Sequence, residues 1–228
     1  MTKSGKMKTG ILICAAAAAL CVGSAAAYFT DSDTAVKTFT IGKVEFDLQE
    51  PGYVPETDIT PGEEIQKDPQ IKNTGVNDEY VFLTVTIPYA NITVAEADGT
   101  KGAKADTELF TYTVNSGWTE LGAAEKNTSE KFYTHTYVYG TASACTALAA
   151  NAVTPALFKT VKMVNAVEDE GLENTSGQIT VTAYGIQTSN LGLDGSVTSP
   201  SDILNIVRKQ APASTKTNED AVTDIVGN

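Results

Sequence analysis

The chain has 228 residues, with 28 Asp and Glu against 16 Lys and Arg, and a formal net charge of −12. Such acidity argues against nucleic acid or an anionic lipid surface as a partner, because both repel it. A single histidine in the whole sequence also excludes every motif built on a histidine pair, H-E-x-x-H among them.

The first predicted element is an export signal. Lys3, Lys6 and Lys8 form a positive head, Ile11 to Val22 is an uncharged apolar run, and Gly23-Ser24-Ala25-Ala26-Ala27 offers small residues in an A-x-A pattern. That order reads as a secretory signal peptide over residues 1–27. The run is short for a bilayer span, which takes about 20 residues. Cleavage is expected after Ala27, with Ala25 and Ala27 in the two positions that accept only small side chains and Tyr28 as the new N-terminus. Without its three leading lysines the mature chain carries a charge near −15 and is long enough for one sizeable domain or two small ones. Cys14 and Cys21 leave with the signal. Cys145 then remains alone, so no internal disulfide is expected and a core must hold the fold.

From Tyr28 onward the dominant period is two. Val44, Phe46 and Leu48 alternate with Glu45 and Asp47, while Phe39 and Ile41 have the opposite parity, with the shift at Gly42. Val81 to Ile87 is the strongest strand pattern, and Pro88 is expected to close it. Phe110, Tyr112 and Val114 alternate, and Asn115-Ser116-Gly117 turns the chain before Trp118. Tyr133, His135, Tyr137 and Tyr139 share one face of another strand. Val161 and Met163 mark a further one, and Gln178 to Thr188 the last. Turn clusters fall at Pro61-Gly62, Asn73-Thr74-Gly75, Asp98-Gly99 and Asn174 to Gly177. Eight or nine strands so spaced predict an all-β fold, an antiparallel jelly-roll-type β-sandwich occupying residues 28–210 as a single domain. Short helices are expected over the alanine-rich stretch Ala142–Ala152 and over Ser201–Lys209, the latter capped by Ser199 or Ser201. Residues 211–228 are polar, lack a core pattern and read as a disordered tail.

The chemistry-bearing residues are few. His135 reads as a cross-strand partner of Tyr133 and Tyr137. A zinc site would need His135, Cys145 and carboxylates from separate elements. Cys145, in an alanine-rich setting, reads as a small apolar residue rather than a reactive thiol. Asp31-Ser32-Asp33 and Glu168-Asp169-Glu170 have oxygens for calcium but not the spacing of a known calcium loop. Trp118 and Tyr133 are sugar-stacking candidates that fit cross-strand packing better. No catalytic residue, metal ligand or cofactor is assigned.

Several blocks carry a resemblance. Ala26-Ala27-Tyr28-Phe29-Thr30-Asp31, Thr38 to Val44, Ile59 to Glu63, Lys67 to Gly75 and Asp78 to Leu83 are similar to the opening blocks of the TasA/camelysin family of bacterial secreted proteins. Ile179 to Gln187 resembles that family's closing strand. The resemblance implies a jelly-roll domain released by an ER-type signal peptidase and polymerised into extracellular biofilm-matrix fibres at the cell surface, with other matrix components as further partners. Some relatives are described as cell-surface metalloproteases, an activity that one histidine does not support here.

The order of segments agrees with assembly. A strand freed by cleavage at the chain end can complete a neighbour's sheet edge, and a head-to-tail contact that does not close makes a filament. Residues 28–48 are the candidate donor segment, with Phe39, Ile41, Val44 and Phe46 as its pocket-filling side chains. Two other readings stay open for those residues and this chain. Residues 28–48 can simply be the first strand of their own domain, and the protein can be a camelysin-type protease or a monomeric adhesin or carbohydrate-binding module.

Overall fold

Strand β4, Glu79–Ile92, is the longest element, and its sequence explains its position at the centre. Val81, Leu83, Val85 and Ile87 face one way and are fully buried. Phe82 and Thr84 face the other way and are buried as well. A strand apolar or covered on both faces belongs inside a sheet with layers on either side. A computed structural model describes residues 44–53, 59–167, 172, 175–189, 191, 199–210 and 221–225, and all structural statements refer to these. Residues 1–43, including the expected signal peptide and cleavage site at Ala25, Ala27 and Tyr28, lie outside them.

The remaining strands are β1 Phe46–Gln49, β2 Glu64–Gln66, β3 Gln70–Asn73, β5 Ala105–Glu108, β6 Phe110–Tyr112, β7 Trp118–Glu120 and β8 Glu125–Asn127. They continue with β9 Phe132–Thr141, β10 Ala144–Cys145, β11 Thr160–Met163, β12 Thr175–Gln178, β13 Thr180–Gln187 and β14 Ala221–Ile225. One helix, α1, spans Pro200–Gln210. The main sheet has the order β10-β9-β4-β13, with β5 added to β4 and both β7 and β8 added to β9. Smaller ladders are β1-β3, β2-β11-β6 and β12-β14, and every pairing is antiparallel. The all-β, antiparallel expectation therefore holds.

The principal core lies between the main sheet and the smaller ladders. Val81, Leu83, Val85, Val181 and Ala183 meet Phe46, Leu48, Ile65, Ile71, Phe110, Val161 and Met163 there. On the opposite face of the main sheet, Phe82, Val138 and Ile186 pack under Ile203, Leu204 and Val207 of α1. Asp202 in the first turn and Arg208 and Lys209 in the last suit the helix dipole. The Ser199 hydroxyl accepts from the Asp202 N–H at 3.2 Å, so the expected cap is in place.

Four expectations need correction. Pro88 does not end its strand. On the edge that its nitrogen faces, pairing with β13 ends at Thr86 and pairing with β5 begins at Tyr89, so its missing N–H falls at a change of partner. Its carbonyl still accepts from Leu109 N–H at 2.9 Å. Ala142–Ala152 is not helical. The Thr141 hydroxyl accepts from Ala144 N–H at 3.1 Å, and Ala144 and Cys145 fold back onto β9 as β10. Asn151, at φ 64°, adds a left-handed residue that no helix interior tolerates. Of the turn cluster at Asn174 to Gly177, the last three residues lie in β12, and of the expected disordered tail, residues 221–225 form β14 against that strand. Short strands of this kind gain their backbone partners only from a remote segment, which local patterning cannot reveal.

Val44 and Phe46, two of the four side chains assigned to the candidate donor segment, are 5% and 2% exposed in the chain's own core. Their strand β1 runs antiparallel to β3, Phe46 opposite Asn73 and Leu48 opposite Ile71. The end of the 28–48 segment is thus the first strand of its own domain. Phe39 and Ile41 lie outside the described residues, so a donor segment, if free, has to end before Val44.

Candidate functional site

His135 stands in the middle of β9, opposite Val85 of β4, on the same face as Tyr133 and Tyr137. The period of two predicts that shared face, and the ring of His135 does stack on Tyr137 at 6.3 Å between centroids. What the period does not reveal is the pair of acids. Glu120, the last residue of β7, is opposite Tyr137 and so reaches His135 on the diagonal. Its Oε1 lies 2.7 Å from His135 Nδ1. Glu108, the last residue of β5, comes from the far side and sets its Oε2 2.8 Å from Nε2. One imidazole is clasped between two carboxylates carried by two other strands.

A ring with a carboxylate on each nitrogen is best satisfied as the imidazolium, which donates at both positions. Accordingly the Glu108 hydrogen bond, opposed by partial burial and aided by Glu120, holds the His135 pKa above its ordinary value. The clasp therefore favours the protonated ring over the neutral one.

Tyrosines build the wall beside it. The Tyr112 and Tyr137 hydroxyls share a hydrogen bond at 2.8 Å. Burial pushes both phenols upward, Tyr137 to about 12 and Tyr112 further. The Tyr112 ring packs on Phe158 at 4.4 Å and meets His135 edge-on at 6.1 Å. Tyr112, Tyr137 and His135, with Glu108, Glu120, Asp106 and Tyr133, line an open groove of about 600 Å³. At its rim Lys126 Nζ lies 2.6 Å from Asp106 Oδ2 and over the rings of Tyr89 and Tyr133, at 4.5 and 5.3 Å.

The other nominated residues go elsewhere. Cys145 packs with the helix-side cluster, on the face of the main sheet opposite the groove, so it shares no site with His135. Burial raises its thiol to about 12, which leaves it protonated and inert. Trp118 is 5% exposed and donates through Nε1 to the Pro155 carbonyl at 2.8 Å, so its ring is core and offers no sugar platform. Asp31, Asp33 and the acids at 168–170 lie outside the described residues. Among the described residues no three His, Cys, Asp or Glu converge as a metal set. None of their helices is long and apolar enough to cross a membrane.

A second feature concerns backbone, not side chains. Strand β13 pairs with β4 along its whole length, Thr180 opposite Thr86 through Gln187 opposite Glu79, and no other described strand takes its far edge. Both of its faces are covered, by Val181 and Ala183 in the main core and by Ile186 beneath α1. Its sequence Thr-Val-Thr-Ala-Tyr-Gly-Ile-Gln contains no charge and no proline. Natural edges are usually guarded by such residues. No sequence signal marks this, since a central and an edge strand read alike.

A family model described as camelysin metallo-endopeptidase matches residues 3–108. No curated protein and no solved structure matches the chain.

Proposed function

We propose that this chain, whose residues 3–108 match the camelysin metallo-endopeptidase family model, is a secreted structural protein of the extracellular matrix. After cleavage behind Ala27 by an ER-type signal peptidase, it assembles with further copies of itself into fibres. The carrying observation is that no described strand but β4 pairs with β13, which leaves its far edge without a partner among them. A strand with two covered faces and eight uncharged residues is a template for an added strand, whose main-chain bonds supply the pairing. The donor is the segment from Tyr28 to about Lys43, immediately behind the cut. Phe39 and Ile41 are its apolar side chains, whereas Val44 and Phe46 anchor it to its own domain.

The family description names a metallo-endopeptidase, which implies a metal. The donor set here does not fit one. The sequence has one histidine. Each of its ring nitrogens is held by a different carboxylate, on opposite sides, so the three groups point at each other and not at a common centre. A non-enzymatic role is therefore the reading we favour.

The experiment compares two purified forms by electron microscopy and light scattering: a chain starting at Tyr28 and one starting at Val44. The first should form fibres. The second should remain folded by circular dichroism and monomeric, and a peptide of residues 28–43 should bind it. Normal fibres from the shorter form would overturn strand addition.

A further inference from the structure

The groove around His135 has an unspent binding capacity. Glu108 gives one oxygen to Nε2 and Glu120 gives one to Nδ1. The second oxygen of each accepts no hydrogen bond from a described residue. Even with the ring protonated, two carboxylates leave one net negative charge in the clasp, and Asp106 beside it is balanced by Lys126. Tyrosine rings 112, 133 and 137 form the remaining walls, and a tyrosine face attracts a cation about 6 Å or less from its centre. The rim displays this chemistry once already, in the ammonium of Lys126 seated on Asp106 and over two tyrosines.

We propose that this groove is a binding site for an organic cation, an ammonium or guanidinium group on an aliphatic stem, with Glu108 and Glu120 as the acceptors and Tyr112 and Tyr137 as the wall for the stem. A neutral sugar is disfavoured, since its hydroxyls can donate to the carboxylates but leave the net charge uncompensated. The inference is independent of fibre formation.

The clasp also couples the site to protons. The groups facing His135 are Glu108 from β5, Tyr112 from β6, Glu120 from β7, and Tyr133 and Tyr137 from β9, with Asp106 and Lys126 at the rim. When the ring loses its proton, one carboxylate faces a nitrogen lone pair instead of an N–H, and the local charge becomes more negative. A cation then binds more tightly. By reciprocity, the bound cation makes His135 easier to deprotonate.

Because His135 is the only histidine, its ring proton gives one NMR resonance that reports this site alone. The full chain is titrated with Nα-acetyl-lysine methylamide, Nα-acetyl-arginine methylamide, spermidine and cellobiose. The proposal expects a saturable shift with the cations and none with cellobiose. The first two against spermidine tell a protein side chain from a free polyamine. Affinity should rise as pH passes upward through the histidine titration, and Glu120→Gln should weaken it roughly tenfold or more. The wild-type pH series keeps the test valid should the variant fold poorly. An affinity flat with pH, a response to cellobiose instead of the cations, or no saturable shift at all would each overturn the assignment.

Discussion

At the scale of single residues, His135 decides one pH dependence. Its pKa is raised in the folded chain by Glu108 and then Glu120, so the clasp contributes fully below the unfolded value of about 6.5 and is lost as pH rises through the folded value. Thermal melts of the wild type should therefore lose stability above about pH 6.5. His135→Phe keeps an aromatic ring but neither charge nor donors. It should cost about 1–3 kcal/mol at low pH, toward the smaller figure because Glu120 is partly exposed, and the difference should shrink as pH rises. A gap between the two proteins that widens with pH would contradict the clasp. Gly185 makes a second residue-scale test. A Cβ there would lie 2.7 and 2.8 Å from ring carbons of Phe46, in the core. Gly185→Ala should destabilise by about 1–3 kcal/mol through overpacking. Adding Phe46→Leu should recover part of the loss if the clash is the cause, as chemical denaturation would register.

At the scale of elements, β13 is the place where folding and assembly diverge. Its inward bonds to β4 hold the fold, and its outward edge is bare among the described strands. A charge placed on a half-exposed position of that edge should block an added strand and spare the domain, which is how natural edges are protected. Thr180→Lys is the variant of choice, since Thr180 is only half-buried. Its melting temperature should stay close to wild type while fibre yield in scattering and microscopy falls severalfold. By contrast, Val44→Asp is a poor probe of assembly. Val44 is a core residue, and an unpaired buried charge there should cost several kcal/mol in the monomer itself. The two variants thus separate a strand that belongs to the domain from an edge that belongs to the fibre.

At the scale of the whole molecule, charge sets the conditions for assembly. The chain carries −12 in all, and near −15 once the three leading lysines are removed. Copies that meet must overcome this repulsion, which salt screens with a Debye length of about 10 Å at 0.1 M. Fibre growth followed by scattering should accelerate with added sodium chloride and slow at low ionic strength. The reverse trend would mean that ion pairs, not main-chain bonds and apolar side chains, dominate the contact.

What was legible in the sequence is what short-range patterning controls. The alternation at Val81–Ile87, at Tyr133–Tyr139 and at Ile179–Gln187 marks β4, β9 and β13, because side chains two apart share a face whatever the strand pairs with. Ser199 and the basic last turn mark α1 for the same local reason, and the opening blocks lie within the residues 3–108 that the camelysin family model matches. The tertiary structure alone decided the rest. Glu108 and Glu120 are 27 and 15 residues from His135, and only the meeting of β5 and β7 with β4 and β9 brings them to its two nitrogens. Val44 and Phe46 have the same strand pattern whether they fill their own core or a neighbour's. Pairing with β3 settles that they fill their own. A strand's sequence fixes which side chains point together, whereas its neighbours are chosen by contacts far away along the chain, and both the clasp and the bare edge are properties of neighbours.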